Sequence, residues 1–370
     1  MMRPRLRELG LTVGSFPTGP LNAITDVSPV RVGQATLIAG QGALRPGHGP
    51  VRTGVTVVLP HGGNLYREKV PAAVWTINGF GKPCGFEQVR ELGVLESPIA
   101  LTNTLNTFLV ADALVTYTVL RNPEVGISAP TVNVVVGETN DGYLNDIQGR
   151  HVRQEHVFAA LDSASAGPVA EGAVGGGTGT ACFGWKGGIG TSSRVAPPET
   201  GGFTVGALVQ SNFGRPQDLV FCGYPLGRDL LPPDQGELPK GERGSIMMVL
   251  ATDAPLDGRQ LLRLCVRAGA GLARTGSTFG HGSGDFVVAF STAYRVAAQP
   301  SVPVEDRLVL ADEELVMSAL FGAVAECVEE AILNSLCRAE TVVGRDGNVR
   351  YALPIEAVQR ISDSRARGSG

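Results

Sequence analysis

The sequence predicts a layered protein of mixed strands and helices, α/β or α+β. Short apolar runs rich in Val, Ile and Thr recur through the first two thirds, bounded by Gly, Pro and Asn. Several are apolar on both faces, as strands in a sheet covered on both sides must be. Helical patterns are fewer and lie mainly in the last third. With 43% hydrophobic and 18% charged residues, the 370-residue chain can bury a sizeable core.

The strand runs are VTVVLP at 55–60, AVWTING at 73–79, TVNVVVGET at 131–139, FTVGALVQSN at 203–212 and FVVAFST at 286–292. RQEHVFAALDSAS at 153–165 reads as a helix. Leu261, Leu264, Cys265, Ala268 and Leu272 fall on one helical face. The longest helical tract runs over 312–338, with Asp312, Glu313 and Glu314 in its first turn, where negative charge suits the macrodipole. PVAEGAVGGGTGT at 168–180 reads as a long loop rather than a linker, because strand-like sequence resumes at once. A polar tail follows from Ser362. The chain reads as a single domain.

Composition narrows the function. A formal charge of −4 gives no reason to expect a nucleic-acid or anionic-membrane partner. No stretch of 18 apolar residues predicts a membrane span, and no apolar segment follows the basic N-terminus as a signal peptide requires. Six scattered cysteines without a CxxC pair point to small buried hydrophobes in a cytoplasmic protein. His151 and His156 lack the i, i+4 spacing of a helical zinc site. NGFGKPCG at 78–85 has the wrong final spacing for a dinucleotide fingerprint. No cofactor or metal is expected.

One junction carries chemistry. In KGERGSIMMVLATDAPL, at 240–256, a charged glycine-bearing loop meets Gly244-Ser245 and then a buried strand. The plain reading is a tight turn. The reactive reading is an N-to-O acyl shift: Ser245 Oγ attacks the Gly244 carbonyl, and water cleaves the resulting ester. The new chain then begins with Ser245, which offers a hydroxyl nucleophile and an α-amine of pKa about 7.7–8.0 as base. Glycine tolerates a backbone that exposes its carbonyl.

RLRELGL (5–11), PTGPLNAITDVSPVRVGQATL (17–37), ESPIALTNT (96–104) and VGETNDGYLNDIQGRHV (136–152) open a series of blocks. GTGTACFGWKGGIGTSSR (177–194), ALVQSNFG (207–214), RGSIMMVLATDAPL (243–256) and GSGDFVVAFST (282–292) continue it. In this order they resemble the DmpA-type aminopeptidases, the L-aminopeptidase/D-esterase and β-peptidyl aminopeptidase family of self-processing N-terminal serine hydrolases. The resemblance covers almost the whole chain. It implies an αββα four-layer sandwich, cleavage into an α chain (1–244) and a β chain (245–370), and a homo-oligomer of four αβ units.

It also implies roles. Ser245 matches the nucleophile, and Ser283 and Asp285 match the serine and acid that support it. The family often carries Glu where Asp285 stands. Asn212 matches the oxyanion residue and Tyr143 a site-lining tyrosine. Read without the resemblance, GSGD is a turn, Asn212 a strand cap and Tyr143 a surface aromatic. Glu138 is added on chemical grounds, because an aminopeptidase must receive an ammonium group; an exposed or capping role stays open for it. A departure lies after Asn78, where the family's GNGE-like segment becomes GFGKPCG. Phe80 and Lys82 are therefore expected to reshape the substrate pocket, with Cys84 packing or lining it.

The expected activity is release of the N-terminal residue from small peptides, amides or esters of L-, D- or β-amino acids. An ω-amino-acid oligomer hydrolase or an ornithine-acetyltransferase-like acyl transferase is the alternative on the same fold. Those relatives typically begin their new chain with threonine, against which Ser245 argues. A non-catalytic assembly or binding protein is the alternative from another class.

Overall fold

The computed structural model of the protein describes residues 3–233 and 243–368. Residues 240–242 of the charged loop before Gly244 lie outside that range. The long strands are β1 (Arg31–Ala39), β2 (Val51–Leu59), β3 (Glu68–Gly79), β4 (Ile99–Asn103), β5 (Val135–Thr139), β6 (Ile189–Val195), β7 (Thr204–Asn212), β8 (Arg243–Thr252) and β9 (Gly282–Ser291). The helices are α1 (Phe86–Leu92), α2 (Thr107–Arg121), α3 (Gln154–Asp162), α4 (Gly258–Arg274), α5 (Glu313–Arg338) and α6 (Ile355–Gly368).

Two sheets lie face to face. One is four-stranded, in the order β1-β2-β4-β5. The other is seven-stranded, with β3-β9-β8-β7-β6 as its body. Apolar side chains sort into three clusters. Val57, Val110, Leu114 and Val157 pack α2 and α3 onto the first sheet. Val58, Leu101, Val135, Met247 and Phe286 fill the space between the sheets. Val209, Met248, Leu264, Val324 and Val328 join the second sheet to α4 and α5. The layers therefore run α, β, β, α, as the resemblance implied.

β8 shows how the sequence fixes its register. Ile246, Met248 and Leu250 belong to the helix-side core, whereas Met247, Val249 and Ala251 belong to the core between the sheets. Burying such a side chain stabilises the fold by roughly 1.5–3 kcal/mol. A one-residue slip would exchange the two faces. It would also turn Ser245, which shares a face with Met247, away from the inter-sheet side.

β8 and β9 pair in parallel, and α4 is the crossover between them. Asp257 caps α4 by accepting from Gln260 N at 2.8 Å, while Gln260 Oε1 accepts from Asp257 N at 3.0 Å. Parallel pairing sets the beginnings of β8 and β9 side by side. β7 and β3 flank them antiparallel, so their C-terminal ends reach the same edge. Asn212, Ser245, Ser283 and Asn78 thus converge from four separate segments.

The predicted helix over 312–338 is α5, capped by Asp312 Oδ1, which accepts from Leu315 N at 2.9 Å. The 153–165 helix is shorter, ending at Asp162. The run at 131–139 forms a strand only from Val135. GSGD is part of strand β9 rather than a turn before it, because Gly282 and Ser283 pair with Arg243 and Gly244. α2 is absent from the sequence reading: its Val and Thr residues look strand-like, and tertiary packing overrides that preference. The polar tail from Ser362 is helical backbone as far as Gly368. The loop at 168–180 holds, with Gly175, Gly176 and Gly177 buried in it. No helix among the described residues is long and apolar enough to cross a membrane.

Candidate active site

A cleft of about 470 Å³ opens at the converged strand ends. Ser245, Gly244, Asn212, Tyr143, Glu138, Lys82 and Phe80 all line it. Ser283 and Asp285 do not; both are fully buried beside it.

Ser245 is 5% exposed and opposes Asn212 across the β7–β8 ladder. The Asn212 Nδ2 group donates to Ser245 Oγ at 3.4 Å. Its Oδ1 accepts from Ala181 N at 3.1 Å, which fixes the amide so that the NH₂ end faces the serine.

Gly244 is a place where only glycine fits. Its φ is +149°, and a Cβ there would lie 2.2 Å from Asn212 O and 2.6 Å from Phe213 Cα. Both contacts are with backbone, which cannot swing aside.

On the other side of β8, Gly244 and Ser245 pair with Ser283 and Gly284. Ser283 Oγ donates to Asp285 Oδ1 at 2.6 Å. Asp285 therefore reaches Ser283 despite being one methylene shorter than Glu. Asn78 holds this segment, and sequence reading gave it no role. Its Nδ2 donates to Gly280 O at 3.1 Å, His281 O at 3.2 Å and also to Ser283 O. A bulge aims it there: Asp285 faces Asn78 but Phe286 faces Thr76, leaving Ile77 as the extra residue.

Glu138 is 4% exposed, which removes the exposed reading. Its Oε1 accepts from Lys82 N at 2.9 Å and lies 3.7 Å from Lys82 Nζ. Lys82 Nζ also donates to Thr104 Oγ1. The departure at 80–84 therefore sits directly on the carboxylate. Phe80 is 68% exposed at the rim. Cys84 packs against the outer core, and burial pushes its thiol up; it is a packing residue.

Tyr143 is 37% exposed, and the Arg350 guanidinium lies 3.6 Å from its ring centroid. Arg215 and Arg350 also line the cleft. Neither stands out in sequence, since each depends on where a distant loop folds back. Nearby, Lys186 is fully buried and donates to Gly177 O at 2.9 Å and Gly187 O at 2.6 Å. Burial drops its ammonium to about 7 and raises the buried Asp141 carboxyl to about 7.

The two histidines lie apart in role. His151 Nε2 is 2.9 Å from Asp146 Oδ2, and His156 Nδ1 accepts from Arg153 N at the start of α3. Among the described residues, no group of three His, Cys, Asp or Glu side chains could hold a metal ion.

A serine near the start of a strand, an amide aimed at its hydroxyl and a serine–carboxylate pair on the neighbouring strand now stand together. Residues 22–350 match the model of Peptidase family S58. The chain belongs to peptidase family S58. It is 41% identical to the β-peptidyl aminopeptidase BapA of Sphingosinicella xenopeptidilytica, over 98% of this chain and 92% of that protein. It is similar to the PH0078 protein from Pyrococcus horikoshii OT3, with 50% identity, a TM-score of 0.91, and 98% and 99% of the two chains covered. It is also similar to the L-aminopeptidase D-Ala-esterase/amidase from Ochrobactrum anthropi, described as a prototype serine aminopeptidase and a new variant of the Ntn hydrolase fold. That match has 39% identity, a TM-score of 0.89 and 99% of each chain covered. The S58 chain shares that fold.

Proposed function

We propose that this chain is a self-processing aminopeptidase. It cuts Gly244-Ser245 and then uses Ser245 to release the N-terminal residue from small peptides, amides or esters. The observation that carries the reading is the junction itself: Ser245 Oγ meets the Asn212 amide while Ser283, bonded to Asp285, flanks Gly244.

In processing, Ser245 Oγ adds to the Gly244 carbonyl carbon and the C–N bond breaks, leaving an ester and a free α-amine. Water hydrolyses the ester. The products are residues 1–244 and 245–370. In turnover the α-amine takes the Ser245 hydroxyl proton as Oγ attacks the substrate carbonyl. Asn212 donates to the oxyanion. The leaving amine collects the proton, and water cleaves the acyl-enzyme. Ser283 accepts a hydrogen bond from the α-amine, and Asp285 favours the protonated amine formed in each step.

Glu138 receives the substrate ammonium, with Lys82 competing for the same carboxylate. Tyr143 lines the substrate path. The processed protein assembles as four αβ units; the exposed Phe108, Val119 and Leu120 of α2 support a further interface. Six free thiols support a cytoplasmic setting.

The test pairs a denaturing gel with p-nitroanilides of L-, D- and β-amino acids. Active protein gives two bands of 244 and 126 residues and hydrolyses at least one series. A chain that stays whole and cleaves none of them overturns the reading.

A further inference from the structure

Among the described residues three cations line the cleft, and two have carboxylate partners. Lys82 faces Glu138. Arg215 holds Asp218 through bonds of 2.6 and 3.0 Å. Arg350 differs. Among the described residues it forms no ion pair, and its Nε is buried without a hydrogen-bond partner. One Nη reaches Val349 O at 3.4 Å.

This arginine is held in place by more than its own side chain. It ends a small hairpin, Val342–Val343 against Val349–Arg350, that grips the Tyr143 loop at several points. Arg345 N donates to Leu144 O at 2.9 Å, Arg345 Nε to Gly142 O at 2.7 Å, and Asn348 Nδ2 to Tyr143 O at 2.8 Å. The guanidinium is thereby held over the Tyr143 ring, with its donor fork preset.

The hairpin has a second attachment. Tyr351 O accepts from Lys186 N at 2.7 Å, and Lys186 pairs with Ala181, whose N–H holds Asn212. Arg350 is thus tied to the Asn212 segment as well as to the Tyr143 loop. The Lys82 segment that meets Glu138 is tied to the start of β9 through Phe80 N, which donates to Ser283 O. The cleft thus holds Ser245 together with a carboxylate and with a guanidinium that has no carboxylate partner among the described residues.

We propose that Arg350 receives the free α-carboxylate of the substrate's leaving portion, so that short peptides ending just beyond the scissile bond, dipeptides foremost, are the preferred substrate class. The inference rests on the aminopeptidase reading and adds the far end of the substrate to it. A dipeptide spans about 7 Å between its charged ends, and a cleft of about 470 Å³ suits a ligand of that size. A bidentate guanidinium–carboxylate contact made on a tyrosine platform is strong and geometrically selective.

The experiment compares a dipeptide with its C-terminal amide, using an N-terminal residue whose p-nitroanilide is cleaved. Wild-type enzyme should favour the free acid by about tenfold or more in kcat/KM. In R350M the acid-to-amide ratio should fall to about one, through loss on the acid. R350K, which keeps the charge but not the fork, should fall between, and it carries the test if R350M is not processed. A wild-type enzyme indifferent to the carboxylate overturns the inference, and so does an R350M enzyme that loses acid and amide equally. If p-nitroanilides are cleaved in either case, the aminopeptidase reading stands without it. Protein that cleaves neither anilides nor peptides takes both down.

Discussion

The two walls of the cleft are built differently. The β7–β8–β9 edge carries the proposed chemistry, and its geometry is set by sheet register: Asn212 opposes Ser245, and Ser283 adjoins Gly244. The substrate side is assembled from the loops around Lys82, Glu138 and Tyr143 and from the distant hairpin that ends at Arg350. Register is fixed by a buried apolar pattern and tolerates no half-steps. Apposed loops can change a side chain without disturbing the sheets. The chemistry is therefore expected to be brittle and the specificity to be adjustable.

The largest effect should come from Ser245→Ala. It should leave one uncut band and lower hydrolysis by a factor on the order of 10⁴ or more. A variant that still splits at the same bond breaks the comparison outright, because the reactive wall would lie elsewhere.

Gly244→Ala should slow or abolish processing without touching the nucleophile, since its Cβ meets Asn212 O at 2.2 Å. A time course of band appearance checks this. Normal processing would mean that the edge is more pliable than its register implies.

Asn212→Ala should cost about 10²–10³ in kcat, the scale of a lost oxyanion donor, with little change in KM. A loss confined to KM would move Asn212 from the reactive wall to the binding wall.

Asp285→Asn tests the support beneath the nucleophile. The carboxylate favours a protonated α-amine, so its removal should lower the pKa of that amine. The acidic limb of kcat/KM against pH should move to lower pH by up to about one unit. An unmoved limb would make the Ser283–Asp285 pair a packing feature only.

The smallest effect concerns stability. The buried Asp141 carboxyl has a folded-state pKa of about 7 against an ordinary 3.8. Between those values the native state holds a proton that the unfolded chain has lost. This contribution is therefore fully present below about pH 4 and declines as pH rises towards 7. Asp141→Asn should flatten the dependence of Tm on pH across that window. An unchanged slope would assign the pH response to other groups.

How much of this was legible follows the same division. Gly244-Ser245, Asn212 and the GSGD strand lie in contiguous blocks, and the alternation around Met247 and Met248 announces a buried strand. The α, β, β, α layering followed from the resemblance. Arg350 and Asn78 were not legible. One acts through a hairpin clasped onto a loop some 200 positions away; the other acts through a bulge that no period-two pattern marks. Lys82 was noticed as a departure, but its position on Glu138 required the fold. α2 was missed because β-branched residues resemble a strand until packing decides otherwise.

The most direct test of the central claim is denaturing intact-mass analysis of active enzyme, quenched during turnover of an ester substrate. The account predicts two polypeptides, 1–244 and 245–370, with the acyl group on the second and at its first residue. Full activity from an unbroken chain, or an acyl group carried anywhere but Ser245, would contradict it.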